Sequence, residues 1–331
     1  MKTKFFLLKS LLLAAAVLTV PACDETETGL TYTAQPFHVG QVTWAPDVTA
    51  SDRAVITELI NSMVRVDSCL FHMGAQYATS KAANYFSGYQ ASDTATWVGP
   101  VLTVSMPDYY IARYEVTQGQ WRAVMGDVLP TGRYCKLPDV ERNAPWYAET
   151  GLGDRIAAYN ISHADALAFC RELSRKTGLP FRLPTEAEWE CAARGGRYSK
   201  GYRYIGAESI DEVAWYKVNA SDPGVGATTY GVHAGGERQP NELGLCDMNG
   251  NVAEWVAGSY YKYSAADTIN PQGPATLGDT LILRGGSWVQ GQARDFCPAN
   301  RKKFIVSSYP TEESFHSAIA FCGLRVALSV Q

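Results

Sequence analysis

A hydroxyl residue followed three positions later by a carboxylate or amide occurs at Thr117 and Gln120, at Ser162 and Asp165, and at Thr185 and Glu188. At that spacing the hydroxyl caps an open backbone N–H of the first helical turn while the longer side chain reaches back to the cap, so each pair marks a helix start. Glycines mark the stops: Gly126, Gly178 and the Gly195-Gly196 pair. The helices must be short. Beyond residue 200 the helical period disappears, and brief β-like pieces stand among long Gly-, Pro- and Asn-rich stretches. With 29 Gly and 16 Pro in 331 residues, long helices cannot dominate, and an α/β (α+β), loop-rich fold is expected.

The capped segments also supply core. Ala166, Leu167, Phe169, Cys170 and Leu173 recur at helical spacing behind Ser162, with Arg171, Arg175 and Lys176 near the negative helix end. Trp189, Ala192 and Ala193 share one face behind Thr185. VLTVSM at 101–106, YYIARYEV at 109–116, DEVAWY, LILRGGSW and GLRVALSV read as strands, whereas VITELINSMVRV at 55–66 fits neither period cleanly and is expected as a strand. Hydrophobic residues make up 46% and charged residues 19%, which excludes a disordered chain. A net charge of −4 leaves no basic surface for neutralising phosphates, so nucleic acid is not an expected partner.

Residues 1–22 combine Lys2 and Lys4, the apolar run LLLAAAVLTV, and Ala22 directly before Cys23. The run is too short to span a bilayer and has the layout of an export signal. It resembles a bacterial lipoprotein signal, which implies cleavage before Cys23 and a lipid anchor on that cysteine; an ordinary cleaved secretory signal is the alternative. Asp24, Glu25 and Glu27 follow at once. They resemble the surface-export signal of Bacteroidota lipoproteins and equally suit a solvated tether. The expected layout is a signal at 1–22, an acidic tether and linker at 23–54, and a single domain at 55–331. The protein is expected in the cell envelope, at an outer membrane or cell surface.

MVRVDSCLFHMG, YYIARYEVTQGQWRAVMG, ISHADALAFCRELSRKTGLPFRLPTEAEWECAARGG, DEVAWY, NELGLCDMNGNVAEWV, LRGGSWVQGQARDFCPANR and GLRVAL follow one another in an order that resembles the formylglycine-generating enzyme, or sulfatase-modifying factor, family. The resemblance runs from about Met63 to Leu328 and implies one loop-rich domain, related to C-type-lectin-like folds. It also implies a structural calcium in GLCDMNGNVAEWV, held by the Asp247 and Glu254 side chains with the Gly250 and Val252 carbonyls; hard oxygen donors at this density suit that ion. An Asn/Asp turn bonding its own backbone is the other reading of the same residues.

Members that make formylglycine oxidise a substrate cysteine with oxygen at a copper held by two thiolates, one three positions after the serine of GGS and the other five further on. Counted from Ser287, those positions hold Gln290 and Asp295, oxygen donors with little affinity for Cu(I). Catalytic members also carry tryptophan where GNVAEW has Ala253. Copper is therefore not expected, although Cys297 is a nearby thiol that a distant cysteine such as Cys246 could join. The five histidines (His38, His72, His163, His233 and His316) lack metal-ligand spacing, and Ser287 has no GxSxG elbow. With Cys23 assigned to lipid, an odd seven cysteines remain. The resemblance implies a Cys170–Cys322 disulfide and a second at Cys191–Cys297; buried thiols are the alternative. Two functions stay open: a lipid-anchored, non-catalytic module binding a protein or glycan, and a copper- and oxygen-dependent enzyme converting a protein cysteine to formylglycine.

Overall fold

The fold is set by four longer helices, one single-turn helix at Ile210–Val213 and a series of short strands, seen in a computed structural model that describes residues 42–74, 100–131, 146–274, 276–309, 311, 314 and 319–330. In chain order these are α1 (Ala50–Asn61), β1 (Met63–Val66), β2 (Cys69–Met73), β3 (Leu102–Met106), β4 (Tyr109–Ala112), α2 (Gln118–Met125), α3 (His163–Thr177) and α4 (Glu186–Ala193). The second half holds β5 (Ala214–Trp215), β6 (Asn249–Gly250), β7 (Ala253–Trp255), β8 (Thr280–Arg284), β9 (Lys302–Ile305), β10 (Cys322–Leu324) and β11 (Ala327–Ser329). Cys23 and Cys135 lie outside the described residues.

All three capping boxes form, with the hydroxyl accepting from the backbone and the partner side chain closing the cap in each. Gly178 ends α3 in the left-handed region. Two expectations fail. The segment at 55–66 is not one strand: α1 runs to Asn61, capped by Thr49 and buried through Ile56, Leu59 and Ile60, and only Met63–Val66 is extended. The apolar spacing is helical, but a window opening at Val55 mixes the last turns of a helix with a strand. The domain also begins before residue 55, because Thr43 and Ala45 donate backbone hydrogen bonds to the carbonyls of Thr177 and Lys176, and Val48 is buried.

α4 departs from expectation in another way. Rather than one inward face, the whole helix is buried, including Glu186, Glu188 and Glu190. Arginines make this tolerable: Arg301 pairs with Glu186 at 2.6 Å, Arg182 with Glu188 at 2.6 Å, and Glu190 takes Arg284 at 2.5 Å and Arg194 at 2.7 Å. Buried charge costs free energy unless it is paired and hydrogen-bonded, so this helix requires its arginines.

β1, β4 and β11 form an antiparallel sheet, and β10-β7-β8-β9 form a second sheet in which β10 and β7 are parallel. β2 pairs with β3, while β5 and β6 make a two-residue parallel contact. One large core lies between α1, α2, α3 and the second sheet, and another packs α4 against β2 and β3. The terminal segment links the sheets, since β10 belongs to one and β11 to the other.

Candidate functional site

β8 leads directly into Gly285 and Gly286, both at positive φ. The reversal needs glycine at 286, where a Cβ would lie 3.0 Å from the Asp295 carbonyl and 2.9 Å from the Phe296 ring. It delivers Ser287 into a buried position. The Ser287 hydroxyl donates to Gln290 Oε1 at 3.3 Å, the Gln290 amide N–H donates to the Ser287 carbonyl at 3.0 Å, and the Lys217 N–H donates to the Gln290 carbonyl at 2.9 Å. Ser287 and Gln290, the positions counted from the GGS motif, are thus in contact. Asp295 packs behind them through Gly286, but its carboxylate turns back to accept from the Gln292 N–H, and burial raises its carboxyl pKa. Cys297 is buried, its thiol pushed up to about 12 by burial, beside Arg194, Glu190 and Arg284.

A cavity of about 300 Å³ opens beside this turn, lined by Trp288 and Val289 together with Tyr147, Tyr159, Tyr230 and Phe321. Trp288 meets Tyr230 and Phe321 edge to face, with centroids 5.1 and 5.9 Å apart. Its Nε1–H is buried and has no hydrogen-bond partner among the described residues. Glu149, Thr150, Asn160 and Ser221 add polar groups to the rim and wall. Aromatic walls, a few polar groups and an unsatisfied donor are the features of a small-ligand site. None of the tyrosines or Phe321 was legible from a motif, because three separate segments supply them: the connection between α2 and α3 gives Tyr147 and Tyr159, and two others give Tyr230 and Phe321.

In the loop expected to hold calcium, the two side chains have different fates. Asp247 Oδ2 accepts from the Gly236 N–H at 2.7 Å, while Oδ1 is buried without a hydrogen-bond partner among the described residues. Burial raises its pKa to about 6, despite the lowering influence of that hydrogen bond. Glu254 is fully engaged: Arg325 donates to both of its oxygens, and the Trp189 indole donates to Oε2 at 2.7 Å. Of the two expected side-chain ligands, Asp247 thus has one oxygen without a hydrogen-bond partner among the described residues, while both Glu254 oxygens accept hydrogen bonds. Glu115, which no motif flagged, accepts from Asn251 Nδ2 at 2.5 Å and the Val252 N–H at 3.0 Å, and burial raises its carboxyl, with Asp247 adding to the effect. Among the described residues, no three His, Cys, Asp or Glu side chains converge in a metal-binding group.

The cysteines are rearranged relative to expectation. Cys170 and Cys322 share one core cluster, and burial raises each sulfhydryl to about 12. Cys191, which the resemblance implies as the partner of Cys297, has its Sγ 3.6 Å from Cys69 Sγ, on the β2 side of α4. Cys246 sits among Asp247, Arg325 and Arg113, away from the arginine and glutamate groups that surround Cys297. Ala253 stands beside Cys322 in the parallel β7–β10 register.

A mixed, loop-rich domain with its site at a GGS turn defines a class, and comparison identifies it. Residues 51–330 match the sulfatase-modifying factor enzyme 1-like domain, and the chain belongs to this family. It is 32% identical to the chaperone protein LppX of Paenibacillus barcinonensis over 56% of this chain and 71% of that protein. It is 28% identical to the formylglycine-generating enzyme of Thermomonospora curvata over 69% of this chain and 84% of the enzyme. The solved structure of PvdO from Pseudomonas aeruginosa shares the fold with a TM-score of 0.62 at 22% identity, covering 90% of this chain and all (100%) of that one.

Proposed function

We propose that this protein is a cell-envelope lipoprotein whose domain has kept the family fold without the copper chemistry and binds a ligand in the aromatic cavity beside Ser287. The observation that carries the reading is Gln290, an amide hydrogen-bonded to Ser287 where a copper thiolate is expected. An amide oxygen is a poor ligand for Cu(I). Cys297 does not compensate, because it is a single buried thiol set among Arg194, Glu190 and Arg284, whereas Cys246 lies in different surroundings. The relative named a chaperone supports a role in which the domain holds another molecule. The export reading rests on residues 1–23, and no helix among the described residues is long and apolar enough to cross a membrane.

Purified protein supplied with copper, oxygen, a thiol reductant and a peptide bearing a sulfatase-type cysteine should leave the peptide thiol intact. An aldehyde product by mass spectrometry that disappears in Cys297→Ala would overturn the non-catalytic reading.

Calcium belongs to the proposal in reduced form, held by Asp247 with the Gly250 and Val252 carbonyls while Glu254 stays with Arg325. The orphaned Asp247 Oδ1 supports it, since a buried carboxylate oxygen without a partner is costly. A ligand bound only by the native state raises its stability by mass action. Calcium should raise the melting temperature of the parent and leave Asp247→Asn unchanged; an equal response from both would remove calcium from this loop.

A further inference from the structure

Two cysteines with no part in the site stand against each other in the second core. Cys69 opens β2 and Cys191 lies on the last turn of α4, both completely buried, with their Sγ atoms 3.6 Å apart although 122 residues separate them in sequence. A disulfide needs a sulfur separation near 2.05 Å, so closure asks for about 1.5 Å of approach. The other end of β2 is already clamped to the same helix: the Gly74 N–H donates to Glu190 Oε1 at 2.8 Å, and Arg194 donates to the Gly74 carbonyl at 2.9 Å. From Tyr109, between strand and helix, a hydroxyl donates to the Glu188 carbonyl at 2.6 Å and fixes the α4 backbone next to Cys191.

We propose that Cys69 and Cys191 are an oxidative modification site, closing to a disulfide that ties β2 to α4. The pairing differs from both bridges the family resemblance implies, and its formation in cells rests on the proposed export to an oxidising compartment. The oxidant required is a low-molecular-weight or protein disulfide. One thiolate attacks it, releasing a thiol and leaving a mixed disulfide. The second cysteine then displaces the other half, so two protein thiols lose two protons and two electrons while the oxidant becomes two thiols. Because both sulfurs are inaccessible in the folded chain, this exchange must precede closure of the core.

The test refolds the fully reduced, denatured chain in a mixture of oxidised and reduced glutathione and maps peptides without reduction. A linked Cys69–Cys191 peptide is expected, and the melting temperature of the refolded parent should fall on reduction more than that of a Cys69→Ala/Cys191→Ala variant. Recovery of both cysteines as alkylated thiols from folded parent overturns the inference. The same mapping on full-length protein taken from a bacterial envelope separates the two claims. A bond made in glutathione but absent in envelope-derived protein would count against the export reading and leave the geometric one standing.

Discussion

Replacing Arg325 by methionine should destabilise the protein by about 3–5 kcal/mol, the range for removing one partner of a buried ion pair. Arg325 is completely buried, and every N–H of its guanidinium is used. Nε and NH2 hold Glu254, NH1 donates to the Ala112 and Arg113 carbonyls at 2.8 and 2.6 Å, and NH2 also donates to the Cys246 carbonyl at 2.8 Å. Its place in the chain explains why so much depends on it. It lies between β10 and β11, where the terminal segment leaves one sheet for the other, and its side chain ties that crossing to β4, β7 and the loop before Asp247. Methionine fills much of the volume but leaves Glu254 charged and buried with only the Trp189 indole. Because domains are stable by only about 5–15 kcal/mol, the loss would be a large fraction of the total. Denaturant unfolding measures it, and Arg325→Met/Glu254→Leu should recover part of the loss because no charge is then stranded. A single-variant loss below about 1 kcal/mol would mean that water or another cation replaces the guanidinium.

What was legible in the sequence is what is local. Thr117, Ser162 and Thr185 announced their helices because a capping box closes within four residues and needs no tertiary partner. The GGS turn and the Asp247 loop were pointed to by the family resemblance, and the positive φ at Asp247, Gly250, Asn251, Gly285 and Gly286 shows why glycine, asparagine and aspartate stand there. α1 was lost to a window that straddled its end, and the all-round burial of α4 was hidden because its counter-charges come from Arg284 and Arg301, about a hundred residues away. A signal did exist for Arg325, the one charge inside the strand-like run GLRVALSV, which predicts a buried partner without naming it; Glu115 shares its run with Arg113 and carries no such signal. For the cavity there was none, since Tyr147, Tyr159, Tyr230 and Phe321 meet only when the loops are folded. The Cys69–Cys191 contact was equally invisible, being a matter of which side of α4 faces β2.

The second large effect is expected at Gly250, where alanine should cost about 3 kcal/mol or more. Gly250 has φ of +75°, and a Cβ there would fall 2.0 Å from the Trp215 carbonyl oxygen and 2.8 Å from its carbon. Neither group can yield easily. Trp215 and Gly250 are partners in the β5–β6 contact, the Asn251 N–H donates to the same Trp215 carbonyl at 2.8 Å, and the Gly250 N–H donates to the Gly285 carbonyl at 3.0 Å. Left-handed strain contributes about 1–3 kcal/mol for a non-glycine residue, and a backbone clash in a packed site adds a similar amount. Gly226 separates the two terms: it has φ of +94° with nothing within 4 Å of a Cβ, so its alanine variant should show the strain alone. Unfolding curves for both variants, with and without chelator, also distinguish why glycine stands at 250. If close approach to Trp215 demands it, the gap between Gly250→Ala and Gly226→Ala persists without calcium. Collapse of that gap under chelation would instead assign the glycine to presenting its carbonyl to the ion, and the packing argument at β6 would be wrong.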